Sequence, residues 1–89
     1  MEINDGWFGD ARMAKFTSLL NGDVYVAMGF IVYLWRGCIL KKRYSFQPKE
    51  LEQLMNVGPD VIQALQKSGL LIPGKQGRLV VMGADDFLD

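Results

Sequence analysis

Residues 47–82 read QPKELEQLMNVGPDVIQALQKSGLLIPGKQGRLVVM, and this stretch decides the fold. Pro48 stands where a first helical turn accepts it. Leu51, Leu54 and Met55 recur at three-four spacing behind an outer face of Lys49, Glu50, Glu52 and Gln53, which predicts a short helix. Asn56-Val57-Gly58 breaks it. Pro59 opens a second helix, with Val61, Ile62 and Leu65 facing inward and Asp60, Gln63, Gln66 and Lys67 facing out. Gly69 ends that helix, and Leu70, Leu71 and Ile72 read as a strand. Pro73-Gly74-Lys75-Gln76-Gly77 follows as a tight loop, and Arg78 to Met82 is the return strand. Residues 47–68 are therefore expected to form a helix-turn-helix and residues 70–82 a hairpin beside it.

Upstream, residues 10–43 predict two more helices. Ala11, Met13, Ala14, Phe16, Leu19 and Leu20 around Arg12 and Lys15 form a short amphipathic pattern, with Asp10 as its N-cap and Asn21-Gly22 closing it. Trp7 and Phe8, within the N-terminal segment 1–9, are expected to fold back on the core. A longer helix is expected from Asp23 to about Lys41. Apolar residues surround it on every side, which marks a buried central helix. Gly29 and Gly37 each weaken that helix relative to alanine, so both are read as points of close approach by a neighbour. Tyr44-Ser45-Phe46 forms either one short strand or an extended connection. The acidic tail, residues 83–89, holds three aspartates with Phe87 and Leu88 and is either frayed or one apolar turn clipped to the core.

Composition narrows the function. The 89 residues suffice for one core, and 49% hydrophobic with 22% charged residues is a globular balance, so a single domain over 1–89 is expected. The single cysteine, Cys38, lies in an apolar run and reads as a core thiol, which fits a reducing, cytoplasmic setting. The chain has no histidine to act as its base and no paired carboxylates facing each other, so no enzyme activity and no cofactor are expected. One thiol without histidine also argues against a zinc site. The uninterrupted apolar run, residues 24–35, is twelve residues long against the roughly 20 a membrane span needs, so a buried helix rather than a membrane segment is expected. Ten basic and ten acidic residues cancel, so any attraction to nucleic acid must come from local clustering.

These elements sum to an α+β, mainly α fold: a winged helix-turn-helix with a long central helix and a C-terminal hairpin wing. The stretches Trp7-Phe8, Lys15-Phe16, Met28 to Trp35, Leu51 to Leu54 and Ala64 to Leu71 together resemble the N-terminal winged-helix domain of phage replisome organisers. Related winged helices begin bacterial replication-initiation proteins. The resemblance covers most of residues 7–82, chiefly at core positions, and implies a role in origin binding or replisome assembly.

In such a module the second short helix enters a major groove while the wing meets the adjoining backbone. The candidate backbone contacts are Lys41, Lys42 and Arg43 before the motif, Lys49 at its first helix, Lys67 at the end of its second, and Lys75 and Arg78 in or beside the wing. Gln63 and Gln66 are the candidate base readers. Each has an ordinary reading as well: cations suit a helix carboxyl end and glutamines suit any helix surface. Asp60, at the end of the helix expected to enter the groove, opposes phosphate. The expected partner is DNA, duplex or single-stranded, or a replication protein. The alternative is a protein-interaction or self-association module that pairs through apolar surface as a homodimer.

Overall fold

The computed structural model describes residue 6 and residues 9–83. Trp7, Phe8 and residues 84–89, with the expectations attached to them, lie outside the described residues.

The chain is α+β and mainly helical. Its elements run α1 (Ala11–Leu19), α2 (Val24–Lys41), β1 (Ser45–Phe46), α3 (Pro48–Met55), α4 (Pro59–Ser68), β2 (Leu71–Pro73), a 3₁₀ turn (Lys75–Gly77) and β3 (Leu79–Val81). Local chemistry sets the boundaries. Asp10 caps α1 by accepting from the Arg12 N–H at 2.8 Å, and Asp23 caps α2 by accepting from the Tyr25 and Val26 N–H groups. Asn56 and Gly69 end α3 and α4 in left-handed geometry, with φ of 55° and 87°.

The three strands form one antiparallel sheet in the order β1-β3-β2. Phe46 pairs with Leu79 and Ser45 with Val80, while Leu71 pairs with Val81 and Pro73 with Leu79. Of the two readings open for Tyr44-Ser45-Phe46, the strand is the one that forms. It closes the far side of the hairpin, and the Val81 N–H donates to the Tyr44 carbonyl at 2.8 Å.

The core lies where the helices meet the sheet. Trp35, Phe16, Phe46, Met13, Ile31, Leu51 and Leu65 are its largest fully buried side chains. Cys38 is buried among them, and burial pushes its thiol up to about 11. It is packed as a core thiol.

The expectation of a central helix buried all round is corrected. Ala27, Ile31, Leu34, Trp35 and Cys38 of α2 are enclosed, but Tyr25, Val26, Tyr33 and Leu40 are exposed. The reason is a shortage of neighbours. A helix of this length extends about 27 Å, and α2 packs mainly on α1 and α3, which leave one side open. The observed helix also takes in Arg36 to Lys41 beyond the uninterrupted apolar run. Its 18 residues are, by length and composition alone, long and apolar enough to cross a membrane, although a third of them are buried inside the fold.

The two glycines of α2 also part company. At Gly37 an added Cβ would lie 2.7 Å from Leu54 Cδ2 and 2.8 Å from Leu54 Cγ, so close approach by α3 requires glycine there. At Gly29 nothing lies within 4 Å, which overturns the expectation of close packing. Gly29→Ala is therefore expected to stabilise the domain by about 0.5–1 kcal/mol through helix propensity. Gly37→Ala is expected to destabilise it by about 1 kcal/mol, because displacing Leu54 outweighs the same gain. Urea unfolding of the two variants checks the opposite signs.

Candidate nucleic-acid interface

The carboxyl end of α2 turns sharply. Lys42 takes a left-handed conformation, φ 56°, and the Arg43 N–H reaches back to the Cys38 carbonyl at 3.2 Å. Lys41 and Lys42 are left exposed at this corner, and the chain passes directly into β1.

Arg43 is held in place. Its guanidinium donates to Glu50 Oε2, and its Cζ sits 4.7 Å from the centroid of the Phe46 ring. Glu50 is the third residue of α3, and its Oε1 also accepts from the Gln47 N–H at 3.0 Å, as in a capping box. One carboxylate thus caps α3 and meets the charge of Arg43.

The hairpin turn comes to the same corner. The Gln47 side-chain amide donates to the Gln76 carbonyl at 3.4 Å, and Arg78 Nη1 donates to the Ser45 carbonyl at 3.5 Å. Within the turn, the Gly74 N–H donates to the Arg78 carbonyl at 2.8 Å and the Arg78 N–H to the Lys75 carbonyl at 3.0 Å. A Cβ at Gly74 would meet Val80 Cγ2 at 2.9 Å, so the tight turn requires glycine there. These bonds tie the loop bearing Lys75 and Arg78 to the junction between β1 and α3.

Glu50 registers the convergence electrostatically. Its carboxyl is held below the usual range first by the Gln47 N–H and next by the Arg43 side chain, with the nearby charges of Arg43 and Arg78 adding to the effect. Lys41 lines a shallow pocket with Phe46, Glu50, Gln53 and Leu54. Cations from α2, from the α2–β1 link and from the hairpin therefore surround one carboxylate, with Lys49 exposed on α3 beside it in sequence.

Gln63, Gln66 and Lys67 are exposed with Asp60 on the outer side of α4. The opposite side of α4 is buried through Ile62, Ala64, Leu65 and Ser68, against α1, α3 and β2. Among the described residues, no side-chain hydrogen bond or ion pair joins the α4 group to the cationic corner. The sequence reading missed the part played by Glu50, placing it on a solvated face. The Gln47-x-x-Glu50 spacing signals the cap, whereas the pairing with Arg43 depends on the turn between them.

The Glu50 pairing has a pH consequence. Its folded pKa is depressed, so the stabilisation it supplies is present above its ordinary value near 4.5 and is lost as pH falls through the folded value. Asp10, held low by Arg12, acts in the same direction. Stability is expected to fall as the pH drops below about 4.5, and Glu50→Gln is expected to flatten the decline. Thermal melts at a series of pH values from neutral downward give the measurement.

No family model matches the chain, and no curated protein or solved structure matches it.

Proposed function

We propose that this chain is a winged-helix DNA-binding module of a phage or bacterial replication-initiation protein, of the replisome-organiser kind. The observation that carries the reading is the cationic corner: Lys41, Arg43 and Arg78, from separate parts of the chain, converge around Glu50, while the loop holding Lys75 is fastened to Gln47. A phosphate backbone passing this corner meets several cations in succession, and each contact releases counterions. Arg43 is the exception, because Glu50 already meets its charge and Phe46 holds its plane. It is a positioning residue for the corner, and the contacts fall to Lys41, Lys42, Lys49, Lys75 and Arg78.

The helical pair α3 and α4, with the hairpin pinned to β1 through β3, supports the winged-helix reading. In that frame α4 is the recognition helix, Lys67 its terminal phosphate contact, and Gln63 and Gln66 read adenine edges, while Asp60 in its first turn opposes phosphate. The replication role rests on the resemblance of residues 7–82.

Titration of labelled duplex and single-stranded DNA across salt concentrations tests the proposal. About six phosphate contacts, five at the corner and Lys67, give a slope of log K against log salt near −5.4 on duplex and near −4.2 on a single strand, so duplex affinity falls about three orders of magnitude between 50 and 200 mM salt. Absence of binding to either form at low salt removes the DNA-binding role.

A further inference from the structure

The open side of α2 is patterned. Val26, Gly29, Tyr33, Arg36 and Leu40 follow one another at spacings of three, four, three and four residues, and all five are exposed. This is the seam spacing of a helix that packs along a second helix. Tyr25 borders the seam and is 85% exposed, and Leu40 is 65% exposed. Arg36 is the one charge on a strip where a solvated helix face carries many. The surface has relief as well: Gly29 leaves open space, and Tyr33 projects one turn further along.

We propose that this strip binds a second copy of the same chain, α2 against α2 and antiparallel, to form a twofold dimer. A twofold contact must be self-complementary, with each residue meeting the position that meets it in return. The Gly29 notch and the Tyr33 ring satisfy that requirement: Tyr33 of each copy seats over Gly29 of the other. The same register sets Arg36 opposite Val26 of the second copy, within one turn of that copy's Asp23.

Charge selects the antiparallel sense. The amino end of α2 carries the exposed Asp23, and the carboxyl end carries Arg36, Lys41 and Lys42. Antiparallel packing brings acidic end to basic end and opposes the helix dipoles, whereas parallel packing aligns like with like. From Val26 to Leu40 the strip is about 21 Å long and about 10–12 Å wide by helix dimensions, which gives on the order of 500 Å² buried in total. That is below the size of a standard stable interface, so the dimer is expected to be weak and transient, with a Kd on the order of 100 μM. The inference is independent of DNA binding.

Sedimentation velocity of the full chain, from about 10 μM to about 1 mM so as to bracket that Kd, tests it, with Gly29→Gln as the decisive variant. The wild type is expected to pass from monomer to dimer over that range. Gly29→Gln has room in the monomer and favours helix, so it stays folded by circular dichroism. By filling the notch it is expected to weaken the dimer about tenfold or more. A wild type that stays monomeric throughout overturns the proposal, and so does a Gly29→Gln chain that dimerises as well as wild type. A wild-type chain that stays monomeric but sediments with phosphatidylcholine vesicles also overturns it, because the strip then meets lipid.

Discussion

Replacing Trp35 by alanine is expected to lower the stability of the domain by about 3–5 kcal/mol, the largest single-residue effect on the fold. Trp35 is fully buried on α2, and it heads a core that also includes Phe16, Phe46, Ile31 and Leu51. Truncation removes the indole's transfer free energy and leaves a cavity that a helix pinned at both ends cannot collapse. Against a total stability of about 5–15 kcal/mol for a typical domain, the loss is a large fraction of what holds the chain folded. The midpoint temperature is expected to drop by roughly 4–8 °C for each kcal/mol. Tyr33→Ala, two residues away on the open strip, is expected to change monomer stability by no more than about 0.5 kcal/mol. Urea unfolding of both variants at low protein concentration, where monomer prevails, gives the comparison. Equal losses at the two positions would show that the enclosed and open sides of α2 have been misassigned.

The contrast between Trp35 and Tyr33 also marks what the sequence conveys and what it withholds. Every helix was legible because its ends are written locally: Asp10 and Asp23 as caps, Pro48 and Pro59 at first turns, Asn56 and Gly69 as left-handed stops. The hairpin was legible for the same reason, through Gly74 and Gly77 between two apolar runs. The exposure of α2 was not. A helix apolar on every side has no periodic signal to say which side is covered, and in a chain this short too few neighbours exist to cover all of it. Gly29 and Gly37 are the same residue in the same helix, and only the position of Leu54 separates them.

The candidate site shows the same division. The identity of the cations could be read from the chain, since charge belongs to residue type, but their grouping depends on contacts between distant positions. Gln47 meets Gln76, and Arg78 meets Ser45, across separations of 29 and 33 residues. No local pattern encodes such meetings. The neutralisation of Arg43 follows from the same geometry, and it changes which basic residues are available to a phosphate.

Simultaneous replacement of Lys41, Lys42, Lys75 and Arg78 by alanine is expected to reduce affinity for duplex DNA by roughly three to four orders of magnitude at 0.1 M salt and to cut the salt slope from near −5.4 to near −1.8, the share left to Lys49 and Lys67. Each phosphate contact contributes about 0.9 to that slope, which at 0.1 M salt is nearly one decade of affinity, and four contacts removed together remove nearly four slope units. All four positions lie at the surface, three of them exposed and Arg78 half-buried, so the fold is expected to survive their loss. Arg43→Ala supplies the internal contrast. It leaves Glu50 without its partner and Phe46 without its cover, so it is expected to cost stability while lowering DNA affinity only a few-fold. Gln63→Ala with Gln66→Ala is expected to change preference among sequences and leave the slope intact, because amides release no counterions. Fluorescence anisotropy at several salt concentrations separates these outcomes. A quadruple variant with the wild-type slope would place the phosphate contacts elsewhere on the molecule, and with them the role assigned to the corner around Glu50.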